Sequence, residues 1–380
     1  MRCETFRLGD ICTFIDYRGK TPPKTSNGIP LVTAKIIKNS MIQEPQEFIA
    51  ENYYNEWMRR GIPQKGDVIF TTEAPLGEVA RIKTDDKLAF AQRIIVLEPN
   101  TQQLNAGYLF YALQDIVLKN RIAARATGTT VIGIKAAELK KVEIDLPPLQ
   151  QQEKIADILS SLDDKIELNN KINENLEKQA EAIYQKCFGD VDIAKKQGIL
   201  SDICTYSKEK VAVSKLEANT YFSTVNMLPG KSGAAEASTL PTAPQTTACH
   251  IGDTLVSNIR PYFKKIVYCY NECGCSSDVL CFTPIHSKYA AYLYSTLYTD
   301  RFFDFMVSGS RGTKMPRGDK HQIMTYPVVL PSDTELDEFN SVVTPFLSLI
   351  HNNRNESRQL SLMRNTLLPK LMNGEFEVNG

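Results

Sequence analysis

The side chains best placed for chemistry in this sequence are those that grip anions and hydrogen-bond planar bases. Residues 309–320, GSRGTKMPRGDK, carry Arg311, Lys314, Arg317 and Lys320 against a single acid, Asp319. Guanidinium and ammonium groups at that density neutralise phosphates, and arginine can also fork onto the two acceptors of guanine. The stretch SNIRPYFK adds Ser257, Asn258, Arg260 and Lys264. In the first half of the chain the comparable side chains are Arg18 and Lys20 in DYRGKTPPK, Lys35, and Thr71, Thr72 and Glu73 in TTEAPLG. Gln92, Arg93, Thr129, Thr130 and Lys135 complete that set. Hydroxyl, amide and carboxylate groups read base edges, whereas lysines mostly position the backbone. For each of these residues the bland alternative is an ordinary solvated surface. Tyr17, Trp57 and Tyr262 could lie on sugars or bases, with packing inside the protein as the stronger alternative.

Apparatus for bond-making chemistry is missing. There is no G-x-x-x-x-G-K-[ST] phosphate loop and no convincing G-x-G-x-x-G fingerprint. The four histidines, His250, His286, His321 and His351, form no metal-binding motif. Asp145-Leu-Pro-Pro-Leu149 is similar to the Asp-Pro-Pro-Tyr loop of amino-methyltransferases. Here a leucine separates the acid from the prolines, and Leu149 stands where an aromatic ring would stack on a flipped base. Pro147-Pro148 therefore reads as the end of a strand and the start of a helix. The nine cysteines read as reduced thiols. Cys249, Cys269, Cys273, Cys275 and Cys281, with His250, lack the paired spacing of a zinc site. Cys273 and Cys275 alternate as two residues on one strand face. No metal and no cofactor are expected in this chain.

The chain has 380 residues, 42% of them hydrophobic and 23% charged, enough for two domains and connectors. No apolar run is long enough to span a membrane, and the N-terminal residues lack the apolar core of a signal peptide. A cytoplasmic protein without a membrane partner is expected. The net charge is zero, but it is unevenly distributed. Residues 1–147 carry a net +3, residues 148–190 a net −4, residues 191–331 a net +4 and residues 332–380 a net −3. The two basic parts suit a polyanion, and the acidic parts suit solvent or protein.

These blocks repeat. LGDICTF from Leu8 returns as LSDICTY from Leu200, and GDVIFT from Gly66 as GDTLVS from Gly252. GYLFYALQD from Gly107 resembles AYLYSTLYTD from Ala291, and VEIDLPP from Val142 resembles YPVVLPS from Tyr326. The offset drifts from 192 through 186 to 184, as loop insertions in a duplicated unit require.

After each proline turn a 3-4 spacing begins. It selects Ile155, Leu159, Leu162, Ile166, Asn169, Asn173, Leu176, Ala180, Ile183 and Cys187. At offset 184 it selects Phe339, Val343, Phe346, Ile350, Asn353, Ser357, Leu360, Arg364, Leu367 and Leu371. These are coiled-coil seams with a matched polar layer, which lowers stability and fixes register. A helix over 150–187 would be roughly 57 Å long at about 1.5 Å per residue, longer than a small domain is wide. Pro345 predicts a kink or a late start in the second helix, with 333–344 separate. IPLVTA, DVIFTT, RIIVLEP and KKVEIDL read as strands, with helices over Ala106–Asn120 and Tyr289–Val307. The expected architecture is mixed α/β: recognition domains over 1–147 and 191–331, and long helices over 148–190 and 332–380 that pair as an antiparallel coiled coil.

LGDICTF, GDVIFTTEAPLGEVA, and the stretch from TGTTVIGIKAAELKKVEIDLPPLQQQEKIADILSSLDDKIELNNKINENLEKQ to LLPKLMNGEFEV resemble the conserved regions of Type I restriction–modification specificity subunits. The resemblance covers nearly the whole chain. It implies two target-recognition domains that each read one half of a split, asymmetric site in double-stranded DNA. It also implies a helical ruler that sets the gap, and docking of two methyltransferase subunits and two restriction subunits. S-adenosylmethionine would belong to the methyltransferase partner, ATP and magnesium to the restriction partner, and this chain would be no enzyme. The rival readings are a protein-interaction scaffold without a DNA role and a methyltransferase acting alone.

Overall fold

The computed structural model describes residues 3–17, 21–189 and 197–375. Two compact units emerge: residues 1–167 with 357–380, and residues 168–356.

The first unit is organised by an antiparallel sheet ordered Cys12–Asp16, Ile94–Pro99, Val68–Thr72, Leu76–Arg81. Val96 lies opposite both Ile15 and Ile69. Side chains alternate across a strand, so each strand feeds two cores. Val68, Phe70, Val79, Ile95 and Leu97 face the helix Ala106–Ala112 together with Ile155, Leu159 and Leu371 of the long helices. Ile15, Ile69, Ala80, Ile94 and Val96 face the other way, onto the small sheet of Ile29–Val32, Phe48–Ile49 and Ala89–Phe90. Burial on both faces explains why DVIFTT and RIIVLEP read as continuous apolar runs.

A two-stranded ribbon pairs Glu4–Arg7 with Glu143–Leu146 and closes the unit. The chain thus leaves beside where it entered, and Pro147-Pro148 turns it straight into the helix Leu149–Tyr184. Gln152, 1% exposed, fastens that turn. Its Oε1 accepts from Asn105 N at 2.9 Å, and its Nε2 donates to Gln103 O at 3.0 Å and Pro147 O at 2.9 Å.

The second unit repeats the order: Cys204–Tyr206, Val279–Pro284, Thr254–Ser257, Ile266–Tyr268, with a closing ribbon of Gln197–Ile199 and Pro327–Val329. Its second sheet contains Lys210–Ala212, Gln245–Cys249, Cys273–Cys275 and Tyr221–Phe222. Cys249, Cys269, Cys273, Cys275 and Cys281 are all buried in a core with Met227, Leu255 and Val279, and Cys269 Sγ and Cys273 Sγ are 3.6 Å apart. Among the described residues no group of three or more His, Cys, Asp or Glu is disposed to hold a metal ion.

Within each unit the long-helix segments run antiparallel. In the first, Leu371 packs in the cluster of Ile155 and Leu159, and Arg364 Nη1 donates to Asp163 Oδ1 at 2.5 Å. In the second, Phe339, Val343 and Leu347 pack with Ala180 and Phe188. The polar layer lies there: Asn353 Nδ2 donates to Asn173 Oδ1 at 2.9 Å, and Asn169 Nδ2 donates to Glu356 Oε2 at 2.8 Å.

Four local expectations are corrected. The second helix is continuous over Asp333–Met372, so Pro345 and Pro369 neither delay nor end it. Phe339, Val343, Leu347 and Ile350 are buried on both sides of Pro345 and anchor the helix there, while Ser341, whose carbonyl loses its helical donor, is exposed. Cys187 is exposed and Phe188 takes the seam, because the wide turn Gln185–Gly189 spaces residues five apart. The helix expected over Ala106–Asn120 is broken into Ala106–Ala112 and Ile116–Ala123, where Asp115 caps by accepting from Val117 N. The helix expected over Tyr289–Val307 breaks at the equivalent residue, Thr299, which accepts from Phe302 N. No described helix is long and apolar enough to cross a membrane.

Candidate nucleic-acid interface

In the first unit three segments converge at the end of the central sheet. The edge of Val68–Thr72 runs into Glu73. The turn before Ile94–Pro99 carries Gln92 and Arg93. The loop 127–135 folds back on itself, Thr127 and Gly133 exchanging backbone hydrogen bonds of 2.8 and 2.9 Å. Main-chain bonds lock the three together: Thr72 N donates to Arg93 O at 2.9 Å, and Ile134 N donates to Thr72 O at 2.9 Å. The loop turns at Gly128, whose φ is +130°; a Cβ there would lie 2.0 Å from Val131 O, so only glycine fits.

The result is an open cavity of about 240 Å³ lined by Thr72, Glu73, Gln92, Arg93 and Lys135, with Thr127, Val131, Gly133 and Ile134. Five residues singled out in the sequence thus share one cavity. Arg93 Nε meets Glu73 Oε1 at 2.8 Å, and both side chains remain over 40% exposed. Thr129 and Thr130 are exposed in the same loop beside the cavity, while Lys35 is exposed on the turn Ala34–Ile36, away from that lining. Thr71 is wholly buried: its hydroxyl donates to Pro75 O at 2.7 Å and accepts from Glu78 N at 2.9 Å, which holds the turn. Arg18 and Lys20 lie outside the described residues.

The second unit assembles the equivalent segments. Asn258 N donates to Asp278 O at 2.9 Å, Gly318 N to Asn258 O at 3.2 Å, and Arg311 and Arg317 exchange bonds of 2.9 and 3.0 Å. The loop turns at Gly312, φ +105°, the counterpart of Gly128. Lys314 is exposed at its tip, Arg311 is exposed where the loop closes with its Nη2 3.5 Å from Asp319 Oδ2, and Arg317 Nη2 meets Asp278 Oδ1 at 3.0 Å. Arg260 lies across the same loop, its N donating to Pro316 O at 2.8 Å. Ser257 and Asn258 are buried, with the Ser257 hydroxyl donating to Ile259 O. Lys264 is 3.0 Å and Lys231 2.7 Å from Asp300. Those lysine hydrogen bonds hold the Asp300 carboxyl below its ordinary range.

Among the aromatic residues, Tyr17 is buried, bonded to Gly61 O and stacked on Phe90. Trp57 donates to Phe90 O at 2.9 Å. Tyr262 is exposed beside Phe263. Sequence reasoning missed Asp278 and the exposed tips Val131, Ile132 and Met315. The offset of 184 that aligns the two glycine turns also aligns Val131 with Met315, so that signal was present.

Residues 2–178 match the family described as Type I restriction modification DNA specificity domain. The chain is 24% identical to the Type I restriction enzyme MjaIX specificity subunit of Methanocaldococcus jannaschii, over 92% of this chain and 87% of that protein. It is 30% identical to the putative type I restriction enzyme MjaX specificity subunit of the same organism, over 43% of this chain and 40% of that protein. The crystal structure of a Type-I restriction-modification system S subunit from M. genitalium has the same fold, with a TM-score of 0.65 at 16% identity over 97% of this chain and 96% of that one. The matched segment holds the first unit's loop cluster and the second unit repeats its strand order, so the chain is similar along its length to Type I restriction–modification specificity subunits.

Proposed function

We propose that each unit reads one half of a split, asymmetric site in double-stranded DNA, with residues 1–147 and 191–331 as the recognition domains. The observation that carries this reading is the duplicated loop cluster. Two copies of one strand order present Arg93, Lys135, Arg311, Lys314 and Arg317 on equivalent segments whose other residues differ. Equivalent scaffolds with divergent loops suit an asymmetric target. The long helices over 148–190 and 332–380 act as a ruler that sets the gap, their register fixed by the layer of Asn169, Asn173 and Asn353. They also dock two methyltransferase subunits, to which two restriction subunits join. S-adenosylmethionine serves the methyltransferase partner, and ATP with magnesium serves the restriction partner. The complex works in the cytoplasm.

The test is co-expression with a cognate methyltransferase subunit and mapping of methylated adenines. A split motif whose methylation disappears with this chain supports the reading. Methylation unchanged by its deletion, or no split motif from an assembled complex, favours the scaffold instead. One heptad inserted within residues 165–180, matched in the second helix, adds about 10 Å of helix. That corresponds to roughly three base pairs of gap, and an unchanged gap refutes the ruler.

A further inference from the structure

Each loop cluster contains an arginine–carboxylate pair that ties the loop to the turn or strand end beside it, and these two pairs are built with opposite polarity; the second cluster holds a further, looser pair within its own loop, Arg311 with Asp319 at 3.5 Å. The backbone fixes the correspondence. Thr72 N donates to Arg93 O and Asn258 N donates to Asp278 O, so Arg93 and Asp278 occupy the same turn. Glu73 bridges Gly133 in one unit, and Ile259 bridges Arg317 in the other. In the first unit the turn supplies the cation and the strand end supplies the acid, Glu73. In the second the turn supplies the acid, and the folded loop supplies the cation, Arg317. The pairs close at 2.8 and 3.0 Å with side chains 40–58% exposed. A Cβ on Gly133 would sit 3.0 Å from the Glu73 Cβ, so the loop leaves room for the acid.

A carboxylate on a surface that meets phosphates is repelled unless it accepts a hydrogen bond from the ligand. On a duplex edge cytosine offers an N4 amine, and guanine offers O6 and N7 to an arginine fork. An arginine and a carboxylate side by side complement the two halves of one G·C pair. We propose that each of the pairs Arg93–Glu73 and Arg317–Asp278 reads one G·C base pair, arginine on guanine and carboxylate on cytosine. With the duplex docked alike on both units, the guanine lies on opposite strands in the two half-sites. This rests on the reading of the two units as DNA-facing domains.

The experiment selects binders from a randomised duplex library with the assembled complex of this chain and its methyltransferase partner. The wild type should fix one G·C pair in each half-site attributable to these residues. Arg93→Gln should lower the guanine preference at one position of one half-site by about 5- to 140-fold, leaving the other half-site unchanged. Glu73→Gln should relax the same base pair, whereas Arg317→Gln and Asp278→Asn should act only on the other half. Should Arg93→Gln fail to fold, Glu73→Gln and Arg317→Gln carry the test. A uniform loss of affinity with every base preference retained overturns the proposal, because the pair then braces the loop or touches only backbone, and the domain reading survives. A wild-type complex that selects no split motif overturns both.

Discussion

Replacing Gln152 with leucine should loosen the join between the long helix and the rest of the first unit. The glutamine is 1% exposed and satisfies three backbone groups: the Asn105 N–H and the carbonyls of Gln103 and Pro147. Leucine is similar in volume, so the packing loss is small, but all three groups lose their partner. A buried group left unpaired costs about 1–3 kcal/mol. Partial hydration lowers the sum, giving an expected loss of about 3–6 kcal/mol, or a fall in Tm on the order of 10 °C for a unit of this size. The chain has one tryptophan, Trp57, and it belongs to the first unit. Its fluorescence therefore follows that unit separately from the second, which matters because a two-unit chain need not unfold in one step. The second unit has Leu336 at the equivalent position, also buried. Leu336→Gln should destabilise the second unit and leave the Trp57 transition in place. A Trp57 transition in Gln152→Leu within about 0.5 kcal/mol of wild type, the range of ordinary surface changes, refutes the argument.

Gly128→Ala should abolish recognition through the first loop cluster, because the new Cβ collides with Val131 O at 2.0 Å. Gly312→Ala meets only a 3.4 Å contact and should be milder, although its φ of +105° still strains it. Methylation rates of the two variants, at matched thermal stability, should differ in that order, and equal loss would contradict it. Asp300 has a folded pKa below its ordinary 3.8, from hydrogen bonds donated by Lys231 and Lys264. That contribution is complete above the ordinary carboxylate range and is lost as pH falls through the depressed folded value. Asp300→Asn should therefore be less stable than wild type at neutral pH and lose less stability on acidification. Urea midpoints across that range test it, and parallel profiles would dismiss the ion pair as a stabilising contact.

The parts of the fold fixed by repeated hydrophobic pattern were legible from the residues. Leu8 and Leu200, which open the two copies of one motif, are both fully buried before the first strand of the central sheet. The seam residues Asn169, Asn173 and Asn353 lie buried where the periodicity set them. Breaks governed by one side chain were not legible. Asp115 and Thr299 cap helices inside runs that otherwise read as continuous, and a cap differs from a mid-helix polar residue only in local backbone angles. Phe188 replaced Cys187 because a single wide turn shifted the phase. Gln92, Arg93 and Lys135, which line the first unit's cavity, could be singled out from residue type and loop position. The inward direction of the Thr71 hydroxyl could not, since only the neighbouring Pro75 carbonyl and Glu78 N–H decide it. Asp278 stands outside the stretches rich in cations and amides, so residue type alone does not single it out.

The most direct test of the account exchanges residues 1–147 for the corresponding domain of another specificity subunit and maps methylated adenines produced with the same methyltransferase partner. The account predicts that one half of the split motif changes to that of the donor, while the other half and the gap remain. A motif altered in both halves, or unaltered in either, would contradict the assignment of one half-site to each unit.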